Sequence, residues 1–178
     1  MRGQRRSLRR KHILEAALDC FLQYGYAKTA LDDVAREAGV SRSLLYTYFT
    51  DKTDLFVRLV NDLLDAQRGK TEQVLASRAS RKDKFLRIME LWGVDLYALG
   101  AASPHGHELL DEGSRVWDKI GHKHADALVQ ALSGFVAGGA AAEVIALAIK
   151  GMQADHPTVP VLRKRIHLLA ELGWKGRS

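Results

Sequence analysis

The sequence predicts an all-α protein of about nine helices. Three observations lead there. Apolar residues recur at three- and four-residue spacing along nearly the whole chain. No segment alternates apolar and polar residues with the two-residue period of a half-buried strand. The principal breaks, at Gly25, Gly39, Ser103-Pro104, Gly134 to Gly139 and His156 to Pro160, fall between the apolar stripes. With 178 residues, 47% of them hydrophobic, the chain can bury a substantial core.

Taken in order, Ile13, Leu14, Ala17, Leu18 and Phe21 form the stripe of a first helix that Gly25 ends. Leu31, Val34, Ala35 and Ala38 form a shorter stripe closed by Gly39, and Leu44, Leu45, Tyr48 and Phe49 a third. A long connector follows, about 52–76, with Leu55, Phe56, Leu59, Val60, Leu63 and Leu64 on one face. Asp51 caps it, and Asp54 three residues on resembles a capping box. Residues 77–83 are polar and read as a linker. Beyond it, Phe85, Ile88, Met89, Trp92, Leu96 and Leu99 share a face. Leu109 and Leu110 fit a short helix, 116–132 another, 140–152 a very apolar one, and 161–172 the last.

The net charge is +6, and its placement is informative. Residues 1–12 carry Arg2, Arg5, Arg6, Arg9, Arg10 and Lys11 and no acid, so the other 166 residues balance to zero. A basic arm on a neutral body suits a polyanion, since each neutralised phosphate releases a counterion; a solvated tail is the plainer reading. Cys20 is the single cysteine, which excludes an internal disulfide and a cysteine metal site and fits a cytoplasmic location. No signal peptide is evident, and no stretch reaches the ~20 apolar residues of a membrane helix.

Residues 29–55 carry the most specific pattern. Ala35 is small where two steeply crossed helices would meet, Gly39 tolerates positive φ in the turn, and Val40 can plug that turn. Ser41 can cap the following helix and Leu45 can anchor it inward. This spacing fits a plain αα-hairpin, and it fits a helix-turn-helix whose second helix enters the major groove. The basic arm favours the second.

The stretch Gly25-Tyr26, Thr29, Val34-Ala35, Ala38-Gly39-Val40-Ser41, Leu45-Tyr46, Tyr48-Phe49, Lys52 and Leu55 resembles the N-terminal signature of the TetR family of bacterial regulators. It covers about residues 10–56. The resemblance implies a helix-turn-helix DNA-binding head over 1–54, including the basic arm 1–12. It also implies a helical regulatory and dimerisation domain over 55–178. Carried over by position, Ser41, Arg42 and Ser43 open the recognition helix, and Arg42 pairs with guanine O6 and N7. Leu44 or Thr47 touches a thymine methyl, Tyr46 and Tyr48 meet phosphate or sugar, and Thr29 and Lys52 each hold a phosphate. Tyr46 and Phe49 can equally pack the head. Ala30 stands where the family often has Thr or Ser, and Asp32 and Asp33 would repel a nearby phosphate.

The second half is less specific. The helices at about 140–152 and 161–172, the latter with Val161, Leu162, Ile166, Leu169 and Leu172, could form a homodimer interface, as the resemblance implies, or an intrachain core. A small-molecule pocket is expected within 84–133, lined by Trp92, Leu96, Tyr97, Leu99, Trp117 and Phe135 with a polar contact from His107 or Glu108. Aromatics at helical spacing also serve as core. His105, His107, His122 and His124 do not suit a metal, because residues two apart on a helix point to different sides. No cofactor is expected, nor is an enzyme: no Gly-rich phosphate loop, paired nucleophile or zinc-helix motif is present. The function these features imply is that of a DNA-binding transcriptional regulator. It would be a repressor released from a palindromic operator on double-stranded DNA by a small apolar or aromatic effector. The alternative is an architectural DNA-binding protein with no effector.

Overall fold

The apolar stripes wind into helices and gather into two buried clusters that two long helices join. The computed structural model describes residues 2–174, apart from the side chains at 2, 117–119, 121 and 122. Nine α-helices, and no strand, occur among the described residues: α1 (Arg2–Tyr24), α2 (Leu31–Glu37), α3 (Arg42–Tyr46), α4 (Lys52–Ala76), α5 (Arg81–Glu90), α6 (Leu96–Ala101), α7 (Gly106–Ser133), α8 (Gly139–Gly151) and α9 (Val159–Gly173).

The first cluster holds Ile13, Leu14, Ala17 and Phe21 of α1, Val34 and Ala35 of α2, Leu45 of α3, Phe49, and Leu55, Phe56 and Leu59 of α4. Fully burying an aliphatic or Phe side chain contributes about 1.5–3 kcal/mol, so these contacts hold the short helices α2 and α3, which could not persist alone. The second cluster takes Leu64 of α4 with Phe85, Ile88, Trp92, Leu128, Leu132, Ile145, Ile149, Leu162 and Ile166. The division between the clusters therefore falls inside α4, between Leu59 and Leu64. A shift of α4 must disturb both.

Four features differ from the sequence reading. The basic arm is the first half of α1, and Arg10 is tied down by an ion pair with Asp62 of α4 at 3.2 Å. The linker after α4 is shorter than read, because Ser80 accepts from Asp83 N and starts α5 at Arg81. The face from Phe85 to Leu99 is interrupted by a π-helical turn, Leu91–Asp95, which leads into α6. Finally, the separate helices expected at 109–110 and 116–132 are one helix, α7, of 28 residues. A lone glycine at 113 costs only ~1 kcal/mol in a helix interior and does not break it.

In the last two helices, Leu162, Ile166 and Ala170 of α9 and Ala142, Ile145 and Ile149 of α8 are buried within the chain. Leu162 and Ile166 are thus core residues, not candidates for a partner contact. The outward faces instead carry Val144 (65% exposed), Leu147 (70%), Val161, Leu168 (57%) and Leu172 (74%). No helix among the described residues is long and apolar enough to cross a membrane.

Candidate nucleic-acid interface

The turn between α2 and α3 follows from local chemistry. Gly39 takes φ +60°, the left-handed region a side chain disfavours, and Val40 N closes the turn on Ala35 O at 2.9 Å. Ser41 caps α3, its hydroxyl accepting from Leu44 N at 3.2 Å. Leu45 is fully buried and anchors the helix. Asp51 caps α4 by accepting from Asp54 N at 2.8 Å, while Asp54 accepts from Thr50 N at 3.0 Å. Burial raises the Asp54 pKa, but bonds from Arg58 and Thr50 outweigh it and hold the carboxyl below its usual range. Ala30 has no side-chain oxygen with which to cap α2; only the return half of a capping box is present, with Asp33 accepting from Ala30 N at 2.9 Å. That bond, with help from Arg36, lowers the Asp33 pKa.

With Leu45 inward, α3 turns Arg42, Ser43, Tyr46 and Thr47 to solvent, and Leu44 is half-buried. Arg42 donates from Nη1 to Asp32 Oδ2 at 2.9 Å and lies over the Tyr46 ring, 5.6 Å from its centroid. The Thr47 hydroxyl bonds back to Leu44 O at 2.7 Å, leaving its methyl free to point outward. Tyr48 is half-buried; the Arg6 guanidinium sits 5.7 Å from its ring centroid, so the basic half of α1 runs beside the segment that follows α3. Between the α1–α2 turn and α3 lies an open groove of about 380 Å³, lined by Lys28, Asp32, Arg42, Tyr46 and Lys52 among others.

Two expected phosphate ligands are placed otherwise. Lys52 Nζ donates to three backbone carbonyls, Tyr26 O at 2.9 Å, Ala27 O at 3.2 Å and Thr29 O at 3.1 Å, and lies 4.6 Å from the Tyr26 ring centroid. An ammonium has three protons and all are used, so Lys52 staples the α1–α2 turn to α4. Thr29 is 2% exposed, and its hydroxyl donates back to Gly25 O at 2.7 Å. Neither side chain is free to meet DNA.

The expected pocket residues are also spoken for. Trp92 is buried and its Nε1 donates to Thr71 Oγ1 at 3.0 Å; Tyr97 is buried and its hydroxyl donates to Pro157 O at 2.7 Å. Leu96 packs against the second cluster, and the Trp117 side chain lies outside the described residues. His107 is exposed and meets His156 edge-on at 4.6 Å. The groove beside α3 is lined by none of these residues, and a second one, of about 440 Å³ between Leu75, Ala79, Arg81, Lys84 and Phe135, takes only Phe135 from the expected set. Among the described residues no group of three or more His, Cys, Asp or Glu is placed to hold a metal; His124 is buried against Asn61, and the His122 side chain lies outside the described residues.

A clasp that the sequence did not signal joins the two halves. Glu108, on the first turn of α7, accepts from Ala27 N at 2.5 Å, and Ser103 donates to Leu22 O. Gly25 makes room: its φ is +86°, and a Cβ there would lie 2.5 Å from Glu108 Oε2. Glu108 is therefore a structural contact to the head, not a pocket residue. Its partners lie 81 residues away in sequence, and no local pattern could have paired them.

Residues 13–59 match the model of bacterial regulatory proteins, tetR family. This N-terminal segment is thus similar to the DNA-binding head of the TetR family. Among its relatives, an uncharacterized HTH-type transcriptional regulator of Bacillus subtilis, YhgD, is 39% identical over 67 residues, 38% of this chain and 35% of that one. The HTH-type transcriptional regulator RutR of Escherichia coli is 42% identical over 59 residues, 33% of this chain and 28% of RutR. The chain thus matches about a third of the length of these relatives. The whole fold is similar to that of a TetR transcription regulator from Haloarcula marismortui, with TM-score 0.75, 14% identity, and 95% of this chain and all of that one covered.

Proposed function

We propose that this chain is a sequence-specific DNA-binding transcriptional regulator that acts as a homodimer on a palindromic operator. The observation that carries the reading is the exposed row Arg42, Ser43, Tyr46 and Thr47 on a helix capped by Ser41 and anchored by Leu45. Arg42 and Ser43 reach base edges, the Leu44 side chain or the Thr47 methyl meets a thymine, and Tyr46 and Tyr48 contact the backbone. The basic half of α1 adds phosphate contacts. The outward apolar faces of α8 and α9 pair across a two-fold axis; exposed Leu147 and Leu172 are the natural centre of that contact.

The protein acts as a repressor whose operator is released by a small apolar or aromatic ligand. Two buried acceptors support a ligand in the regulatory half: Gln67 Oε1 and His124 Nδ1 have no hydrogen-bond partner among the described residues. A ligand carrying a donor would satisfy either. A shift of α4, or release of the Glu108 clasp, would then move the head. The internal bonds of Trp92 and Tyr97 favour the second reading, a DNA-binding architectural protein with a closed core and no effector.

The test is selection from a random duplex library by the purified protein at near-physiological salt. An enriched palindrome, with half-sites separated by about one helical turn or more, is the expected result. Enrichment of nothing, with binding that collapses as salt rises, would overturn sequence-specific regulation.

A further inference from the structure

Arg42 is not a free side chain at the start of α3. Asp32, on the neighbouring helix, holds Nη1 at 2.9 Å, and Tyr46, one turn along α3, lies under the guanidinium. The side chains of both Arg42 and Asp32 are largely solvent-accessible, at 66% and 50%, so burial does not force the pair together. Helix capping does not account for Asp32 either. Asp33 already accepts the Ala30 amide and bonds Arg36, whereas the Asp32 carboxylate turns across the groove to α3. An acid in a groove lined by Lys28 and Arg42 opposes the attraction of any phosphate. A feature that weakens indiscriminate binding has a use if it sharpens discrimination.

The geometry supplies that use. A guanidinium has five N–H donors in a fixed fork, and Asp32 engages only Nη1. Asp32 leaves the edge formed by Nε and Nη2 unused, with the Tyr46 hydroxyl also close to the guanidinium, and a bidentate fork is what guanine O6 and N7 accept. Held by a carboxylate on one side and an aromatic face on the other, Arg42 has fewer rotamers to give up when DNA arrives, and so it meets a base at lower entropic cost. We infer that Asp32 is a positioning residue for base recognition: it fixes Arg42 so that its open edge meets a guanine and discourages it from settling on a phosphate. The inference rests on the DNA-binding reading above.

The test starts from the duplex enriched by the wild-type protein and identifies the base pair whose preference is lost in Arg42→Ala. Affinities for that duplex, and for one with the guanine replaced by adenine, are then measured for wild type, Asp32→Ala, Asp32→Glu and Asp32→Ala/Arg42→Ala. Wild type should discriminate by about tenfold or more at that position, as a bidentate contact does. Asp32→Ala should fall to the level of Arg42→Ala, the double variant should fall no further, and Asp32→Glu should recover part of the preference. Binding of Asp32→Ala to unrelated duplex should not weaken, which a misfolded head could not achieve. If Asp32→Ala tightens both duplexes equally and keeps the tenfold preference, Asp32 only repels phosphate and the inference is overturned. Failure of the wild type to enrich any site would instead overturn the DNA-binding reading, and this inference with it.

Discussion

Lys52→Met should destabilise the head without changing how binding depends on salt. Methionine keeps the apolar stem but removes three N–H···O bonds to Tyr26, Ala27 and Thr29 and the contact with the Tyr26 ring. A hydrogen bond to a charged group contributes about 1.5–3 kcal/mol net, and a cation over an aromatic face about 0.5–1 kcal/mol. The three bonds share one ammonium, and the Ala27 carbonyl is exposed and can turn to water. The sum is therefore well below additive, about 3 kcal/mol in all. For a chain of this size 1 kcal/mol corresponds to a fall in Tm of roughly 2–4 °C, so the variant should melt about 6–12 °C lower. Scanning calorimetry measures that fall, and DNA titrations at several salt concentrations, kept below the transition, give the slope. Had Lys52 held a phosphate in each of two subunits, the slope of log K against log salt would shrink by about 1.8. An unchanged Tm with a slope smaller by that amount would refute the staple.

Other outcomes follow from the same contacts. In Gly106→Ala the new Cβ would overlap the Gly100 carbonyl where α6 and α7 cross; backbone cannot yield as a side-chain tip can, so urea unfolding should show a loss of about 3 kcal/mol or more. Replacing exposed Leu147 and Leu168 together by Asp should leave the melting of the single chain intact and convert a dimer to a monomer in sedimentation. Stability should also fall as pH drops from 7.5 to 5.5. His124 is buried against Asn61, whose amide donates to Val57 O, so its oxygen faces a protonated His124 Nε2 and the other ring nitrogen has no partner. Burial pushes the His124 pKa down, only partly offset by attraction to Asp65. The unfolded chain therefore takes up its proton at a higher pH than the folded chain does. Stability is full above about pH 6.5 and falls as the pH drops below it. Urea midpoints at the two pH values check this, and His124→Gln should flatten the dependence.

The parts legible in the sequence are those set by neighbours a few residues apart. Gly39 adopts positive φ, Ser41 caps α3, Asp51 caps α4 and Leu45 is buried, because each answers to backbone geometry within one turn. The parts that were not legible depend on distant partners. Lys52 follows the family pattern for a phosphate ligand, but three carbonyls some 25 residues upstream converge on it. Trp92 and Tyr97 looked like ligand-facing aromatics until their polar ends found Thr71 and Pro157, 21 and 60 residues away. In α9, Leu162 and Ile166 share a stripe with Val161 and Leu172 in the sequence, and only packing against α5 and the π-helical turn decides which of them face inward. The continuity of α7 was hidden by Gly113, which weakens a helix without ending it.

On the function proposed above, α3 reads DNA sequence. The most direct test is equilibrium binding of the full chain, at one fixed salt concentration near 150 mM, to the selected duplex and to a scrambled duplex of equal length. A preference of about a thousandfold or more for the selected duplex is expected, with most of it lost in Arg42→Ala/Thr47→Ala. A ratio near one, with both affinities falling equally steeply as salt rises, would mean that only the DNA backbone is recognised and that α3 does not read sequence.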